Sequence, residues 1–224
     1  MLFRGLVGAG GTLGNVVVQS DFVTTTHLIS KSGTNSFTEN IGEGDPTRCI
    51  VVTGSGYGGD LTSIKINNTE CLTVDNYYLN NGTSYFSSIG VLLVPTGTTA
   101  DFSITSPASA IFNIFSITGR IATSLNLESR NSVAISGSTL DLSLTTTNPP
   151  ENIAAFTAMI GYAGANVPAS VSTGMTRIAG TYGGFIVNAA YSTDSQNISN
   201  PINIIWSSGN WVLPAVGSSL AIGF

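Results

Sequence analysis

Charged side chains are scarce in this chain. They make up 8% of its 224 residues, against about a quarter in an ordinary soluble domain. The basic residues are scattered and form no run that could neutralise adjacent phosphates, which argues against a nucleic-acid partner. Only Lys31 and Lys65 are lysines. Since lysine commonly protects exposed sheet edges, we expect partners to cover the edges of this protein.

Residues that serve in metal and catalytic sites are also few. His27 is the sole histidine, and the chain has no G-x-S-x-G motif to supply a nucleophile. His27, Cys49 and Cys71 are too few to complete a structural zinc site. The sequence therefore predicts no catalytic residue, no metal and no cofactor. We expect Cys49 and Cys71 to be buried as small apolar side chains, with a disulfide between them as the alternative.

Long apolar runs are missing as well. IGVLLV and IFNIFSI are only strand-length, far below the roughly 18 residues of a membrane span. MLFRGLVGAGGTLGN breaks its apolar run with glycines too early for a secretory signal. We therefore expect no membrane insertion and no secretion.

The first 26 residues differ in character from the rest. Gly8, Gly11 and Gly14 have the spacing of a dinucleotide-binding loop, but that chemistry needs a preceding parallel strand and a following helix. NVVVQSDFVTTT is instead rich in β-branched residues. We interpret residues 1–26 as an extended N-terminal arm that binds a neighbouring subunit, with docking of the arm on its own subunit as the alternative. The apolar side chains proposed for this contact are Leu2, Phe3, Leu6 and Val7.

Two-residue periodicity dominates the remainder of the chain. Alternation of polar and apolar residues, typical of strands buried on one face, occurs at 61–67, 70–74, 100–105 and 140–145. Denser apolar runs, typical of strands buried on both faces, occur at 48–53, 88–94, 111–118, 153–162 and 185–191. The segment 151–159 is the best helix candidate, but it reads equally well as a strand.

Turn-forming residues separate these runs at short intervals. The turn segments are 54–60, 80–83, 95–99, 148–152 and 207–210. The pattern predicts an all-β, antiparallel β-sandwich or jelly roll. We expect a single domain over 27–224, although the length would also fit two small domains. A Ser/Thr/Asn-rich stretch at 122–148 is the candidate crossover between sheets. The sequence shows no clear internal repeat.

Acidic residues are densest at Glu39, Glu43 and Asp45. Paired carboxylates would suit a glycan depolymerase, and an acidic loop can bind calcium weakly. An ordinary acidic loop before a strand is the simpler interpretation.

Aromatic residues give the clearest indication of recognition. Flat rings together with amide groups commonly hold neutral sugars, and several rings lie in or beside Gly/Asn-rich segments. The candidates for glycan contact are Tyr57, Tyr77, Tyr78 and Tyr85, with Phe86 beside them. Core tyrosines with their hydroxyls at the rim are the alternative. Trp206 and Trp211 flank the 207–210 turn and are expected to be core or interface anchors.

The stretch from Asp45 to Gly119 contains, in order, DPTRCIVV, LTSIKINNTECLTV, SIGVLLVPTGTTADFSIT and IFNIFSITG. It resembles a family of uncharacterised proteins encoded by tailed phages and prophages. In that family a D-x-x-R segment opens a strand, a hairpin follows, and a V-P-x-G-T-T-A-D turn precedes another strand. Here Asn67 and Asn68 replace the usual glycine turn, which asparagine can do because it tolerates left-handed backbone angles. The resemblance implies a β-sandwich carried on a virion, and it brings no catalytic residues.

We therefore expect a structural component of a phage particle: a capsid decoration, head-fibre or tail protein. It would bind copies of itself, as a homotrimer or another cyclic oligomer, and other virion proteins, after assembly in the host cytoplasm. The alternative is a carbohydrate-binding module that attaches the particle to host glycans. A glycan depolymerase is the third hypothesis.

Overall fold

The computed structural model describes residues 23–33, 35–59, 63–106, 109–119, 126–134, 138–145, 153–162, 170–171, 175–182, 185–192, 201–207 and 213–223. Within these ranges every regular element is a β-strand, and all strand pairs are antiparallel. The prediction of an all-β antiparallel sandwich is therefore confirmed, and its jelly-roll variant stays a prediction.

The first half of the described chain contains nine strands. They are β1 (Thr24–Ser32), β2 (Asn35–Asn40), β3 (Cys49–Tyr57), β4 (Ser63–Ile66), β5 (Thr69–Glu70), β6 (Leu72–Asn80), β7 (Thr83–Leu93), β8 (Thr99–Thr105) and β9 (Ser109–Thr118). They form an inner N-terminal sheet in the order β1-β9-β3-β7-β6 and an outer N-terminal sheet in the order β2-β8-β4-β5.

The second half of the described chain contains eight strands. They are β10 (Asn126–Ala134), β11 (Thr139–Asp141), β12 (Ile153–Tyr162), β13 (Ser170–Val171), β14 (Thr176–Tyr182), β15 (Phe185–Tyr191), β16 (Ile205–Ser207) and β17 (Leu213–Gly223). They form an inner C-terminal sheet in the order β10-β17-β12-β15-β14 and an outer C-terminal sheet in the order β11-β16-β13.

The four sheets are stacked in layers, with a hydrophobic core between each neighbouring pair. The first core joins the outer and inner N-terminal sheets and includes Phe102 and Phe112. The second joins the two inner sheets and includes Phe115 and Phe156. The third joins the inner and outer C-terminal sheets around Trp206. The central strands of each inner sheet are therefore buried on both faces.

The type of hydrophobic pattern matches the layer in which a strand lies. The dense apolar runs became β3, β7, β9, β12 and β15, all in the inner sheets, where side chains on both faces need apolar surroundings. The alternating segments at 61–67, 100–105 and 140–145 became β4, β8 and β11, which lie in the outer sheets and bury one face. The alternating segment at 70–74 is the exception, because it contributes the end of β5 and the start of β6, an edge strand of the inner N-terminal sheet. The helix candidate at 151–159 is a strand, β12.

Two tight turns follow the asparagine chemistry expected from the sequence. Asn67 and Asn68 have φ angles of 50° and 62° and connect β4 to β5. Asn81 and Gly82 have φ angles of 49° and 77° and connect β6 to β7. Positive φ at both central residues matches the right-handed twist of a hairpin, so the expectation that Asn67 and Asn68 adopt left-handed backbone angles is confirmed.

Two segment boundaries differ from expectation. Residues 24–26, assigned to the arm, belong to β1 and pair with Thr118, Ile117 and Ser116. The glycine-rich segment 54–60 is a turn only from Gly58, because residues 54–57 continue β3. A Cβ on Gly54 would meet the Phe112 ring, so glycine there allows close packing rather than a turn. Within 122–148 the structure places β10 in the inner and β11 in the outer C-terminal sheet.

Candidate functional site

Arg48 joins the two motifs on which the resemblance to the phage family rests. Its side chain is 1% exposed. The guanidinium donates to carbonyl oxygens of two loops, 41–43 and 94–97. The acceptors are Val94 (2.8 Å), Ile41 (3.2 Å), Gly42 (3.0 Å), Glu43 (2.7 Å), Thr96 (2.8 Å) and Gly97 (2.7 Å). The D-x-x-R segment and the V-P-x-G-T-T-A-D turn are therefore one structural unit, which we call the Arg48 clamp.

Asp45 completes the clamp from the same segment. Its carboxylate accepts hydrogen bonds from the backbone N–H of Thr47 at 2.7 Å and from the Thr47 hydroxyl at 2.5 Å. Burial lowers the pKa of the Arg48 guanidinium and the Asp45 charge raises it, but arginine stays charged in proteins. The side chain is thus a fixed cation held by backbone dipoles.

The three acidic candidates have separate roles. Glu39 lies 3.5 Å from the Lys31 ammonium as an ion pair, Asp45 binds Thr47, and Glu43 is exposed in the loop beside the clamp. The structure therefore gives each of these three carboxylates its own surroundings, and the depolymerase hypothesis stays a prediction. Among the described residues, no three His, Cys, Asp or Glu side chains lie close enough together to hold a metal ion.

His27 lies half-buried on β1 against aromatic rings. Its ring centroid is 5.3 Å from that of Phe115 and 6.4 Å from that of Tyr191, and burial lowers its pKa. His27 Nε2 is 3.2 Å from Ser30 Oγ. Because Ser30 donates its proton to Asn113 Oδ1 at 2.7 Å, its oxygen is the acceptor toward His27. This direction does not activate the hydroxyl as a nucleophile.

The cysteines and the described tryptophan are core residues. Cys49 and Cys71 are buried free thiols in different cores, as expected, and burial raises the pKa of each to about 12. Trp206 is fully buried, and its indole N–H donates to Thr157 Oγ1 at 3.2 Å. Trp211 lies outside the described residues, as do Leu2, Phe3, Leu6 and Val7 of the proposed arm.

The candidate tyrosines do not form one exposed platform. Tyr57, Tyr85 and Tyr78 lie opposite one another on β3, β7 and β6, in one row across the inner N-terminal sheet. This row packs on Ile160 and Val216 of the inner C-terminal sheet. Tyr85 is 3% exposed, and burial raises its pKa. Because its ring is covered, Tyr85 offers no face to a sugar, which corrects its assignment as a glycan contact.

Tyr77 points to the opposite face of β6, because side chains alternate along a strand. It is 48% exposed and lies opposite Phe86, which is buried. Of the four tyrosines proposed for glycan contact, Tyr77 has the most accessible ring. Glycan binding stays a prediction, and it would depend on this one ring.

The exposed apolar side chains of the described residues are concentrated on one strand. They are Leu72, Tyr77, Leu79, Leu93 and Ile205. All except Ile205 belong to β6 or to the adjoining end of β7, and we call these four the β6 patch. Leu72 and Leu93 lie on the side of the sheet that faces the inner C-terminal sheet, whereas Tyr77 and Leu79 lie on the opposite side. Leu72 and Leu93 also line a shallow apolar depression with Val91 and Leu92. The sequence does contain a signal for this patch, because LTVDNYYLN places apolar residues on both faces of the strand. Only its tyrosines were identified from the sequence.

The backbone edge of β6 adjoins this patch. The two-residue turn makes Asn80 and Thr83 a hydrogen-bonded pair. Counting back from Asn80 along β6, every second residue therefore forms its backbone hydrogen bonds with β7. The backbone groups of Asp75, Tyr77 and Leu79 point away from β7. Consistent with this geometry, the Asp75 carbonyl accepts a hydrogen bond from Asn131 Nδ2 at 2.6 Å. Toward the hairpin end, Tyr77 and Leu79 present their backbone groups at the sheet edge.

The other edges of the inner sheets carry protective features. β1 has a bulge between His27 and Ile29 and carries Lys31, and β10 and β14 carry Arg130 and Arg177. β6 has neither lysine nor arginine, and its pairing with β7 runs without a bulge. Charges and bulges normally prevent strand addition, so β6 is the inner-sheet edge best suited to accept a partner strand.

Comparisons of the chain with protein-family models, with curated proteins and with solved structures found no match. The described residues contain no helix long and apolar enough to cross a membrane.

Proposed function

We propose that this protein is a structural subunit of a phage particle and that it assembles through the β6 patch and the strand edge beside it. The observation that carries the proposal is the exposure of Leu72, Tyr77 and Leu79 on an edge strand, with Leu93 on the adjoining end of β7. This edge strand carries no lysine or arginine, and its one charged residue is Asp75. An apolar edge of this kind favours association. The resemblance of Asp45–Gly119 to virion proteins supports the phage context.

A second copy of the chain is the partner that best fits this edge. β6 can pair with the antiparallel β6 of another copy about a twofold axis, which would extend the inner N-terminal sheet across both molecules. Backbone hydrogen bonds would then supply affinity, and Tyr77 and Leu79 of both copies would be covered. A strand from another virion protein can use the same edge. The homotrimer stays a prediction that mass measurement decides.

The self-association part of the proposal is tested by light scattering on the full chain and two variants. Leu79→Lys places a cation on the open edge, whereas Ile205→Lys makes the same change on β16, where the side chain is 37% exposed. We expect the wild type and Ile205→Lys to be oligomers of one mass, and Leu79→Lys to shift toward the monomer. A wild type that stays monomeric at every concentration, or two variants of equal mass, contradicts assembly through β6.

The phage context needs its own measurement. Mass spectrometry of purified particles from the encoding phage or prophage is expected to detect this chain at a stoichiometry typical of a structural protein. Its absence from purified particles would overturn the virion assignment, whatever the oligomeric state of the isolated chain.

A further inference from the structure

The two halves of the chain have the same strand order. In the inner N-terminal sheet the first strand, β1, lies beside the last, β9, and the order continues through β3, β7 and β6. In the inner C-terminal sheet the first strand, β10, lies beside the last, β17, and the order continues through β12, β15 and β14. The outer sheets match as well, as β2-β8-β4 and β11-β16-β13. The two sets occupy nearly equal lengths of chain, 24–118 and 126–223.

This agreement includes pairings between strands that are far apart in the chain, which short connecting loops cannot account for. The first and last strands of each half pair across nearly the whole half, as β1 with β9 and β10 with β17. Each last strand also pairs with the equivalent central strand, β3 or β12. Because neighbours in sequence usually pair with each other, two independent sandwiches would not be expected to share every one of these non-local pairings.

The two halves also meet in a symmetric manner. The equivalent strands β3 and β12 contact each other between the inner sheets. The contact of β12 with β7 has its counterpart in that of β3 with β15, and the contact of β17 with β6 has its counterpart in that of β9 with β14. Reciprocal contacts of equivalent elements are typical of a twofold, isologous interface. The symmetry is approximate, because the contacts of β17 with β7 and of β10 with β6 are more extensive than those of the equivalent pairs, β9 with β15 and β1 with β14.

The surfaces that meet have the chemistry of a permanent interface. Val51, Ile89 and Phe115 of one half pack with Phe156 and Leu220 of the other in a single apolar core. Hydrogen bonds cross the same surface where polar side chains occur. Ser87 Oγ lies 2.7 Å from Ser218 Oγ, and Ser55 Oγ donates to the Met159 carbonyl at 3.0 Å. Both serine contacts are buried, so the polar groups of the interface are paired rather than hydrated.

We infer that the chain is an internal duplication: two copies of one β-sandwich unit joined, through their inner sheets, as a homodimer would be. The inner-sheet face is thus an interaction surface whose partner is a second copy of the unit, and the connection at 120–125 links the two copies covalently. The inference is independent of the proposed phage function. It also implies that the outer sheets, with equivalent strand orders, lie on opposite sides of the molecule.

The inference is tested on the full chain with a specific protease site inserted in the 120–125 connection. After cleavage, we expect the two fragments to elute together at the mass of the uncut protein. After separation in denaturant and remixing, we expect a one-to-one complex to form again. Folded fragments that separate in native buffer, or that fail to recombine, would overturn the inference.

A cross-link provides a second readout that does not depend on the strength of the interface. Ser87→Cys combined with Ser218→Cys is expected to join the two cleaved fragments by a disulfide, giving one band on a non-reducing gel. Ser88→Cys with Ser218→Cys is the matched control, because Ser88 is also buried but lies on the other face of β7. Equal cross-linking in both pairs, or none in the first, would contradict the face-to-face packing of the two units.

Discussion

Replacing Arg48 tests whether the clamp holds the two loops in place. Arg48→Met keeps an unbranched side chain of similar length but removes every donor, so six carbonyl contacts are lost at once. Arg48→Lys keeps the charge, but a single ammonium with three donors cannot reach carbonyls on both loops. Both variants should therefore destabilise the protein, and the methionine variant should do so more strongly.

The expected size follows from the surroundings of the acceptors. Gly42, Glu43, Thr96 and Gly97 are exposed, so their carbonyls can turn toward water. Ile41 and Val94 are buried, and the carbonyls that faced the guanidinium would be left unpaired at a cost of about 1–3 kcal/mol each. Adding the lost order of the two loops, we expect Arg48→Met to lower the free energy of unfolding by about 3–5 kcal/mol, and Arg48→Lys by about half of that.

Equilibrium unfolding in urea, followed by far-ultraviolet circular dichroism, measures this change. With a slope of about 1–3 kcal/mol per molar urea, the midpoint of Arg48→Met should fall by at least about 1 M. Arg130→Met is the matched control, because the Arg130 side chain is 46% exposed and pairs with Asp141 at 3.6 Å. Its loss should be under about 1 kcal/mol. If Arg48→Met and Arg130→Met unfold at the same urea concentration, the clamp does not stabilise the fold.

Three further predictions concern the reactivity of the buried thiols, the pH dependence of stability and a close backbone approach. Because burial raises the pKa of Cys49 and Cys71 to about 12, neither thiol should react with Ellman's reagent at pH 8 until the protein unfolds, and rapid labelling of the native state would contradict this burial. Burial keeps these thiols neutral in the folded protein, and the resulting stabilisation is fully present below their unfolded pKa of about 9. It is lost as the pH rises from there toward 12. Urea titrations at pH 8 and pH 10.5 should therefore give a lower unfolding midpoint at the higher pH. Gly56→Ala should destabilise by about 2 kcal/mol or more, because its Cβ would collide with the Ser109 carbonyl oxygen. Gly44→Ala, where the nearest atoms are 3.8 Å away, should change the thermal midpoint little, and equal midpoints for the two variants would refute the steric argument.

The candidate site could be predicted only in part. Tyr77 is a glycan-contact candidate from its ring and its Asn-rich surroundings, and it is exposed. Tyr85 is a candidate on the same grounds, with a core position as the alternative, and the structure supports that alternative because Tyr85 is buried. Composition cannot distinguish these two tyrosines, because both lie on strands. They differ in whether another sheet covers the face on which the side chain lies. Leu72 and Leu79 were missed since an apolar residue in a strand is ordinarily a core residue. Their exposure follows from the edge position of β6, which depends on pairing partners far away in sequence.

The sequence by itself determined the all-β class and, for eight of the seventeen described strands, the inner or outer layer. Period-two alternation marks a strand with one buried face, and a continuous apolar run marks one with two, because these patterns depend only on the local surroundings of each side chain. The asparagine turn at 67–68 was readable for the same reason.

Only the tertiary structure decided which strands are neighbours. The pairing of β1 with β9 and of β10 with β17, the equivalence of the two halves and the link from Arg48 to Val94 all join residues far apart in the chain. The two units have no clear repeat in sequence, because many different apolar residues can fill equivalent strand positions. Their strand order is nevertheless the same, because it is maintained by backbone hydrogen bonds, which every residue type except proline can make.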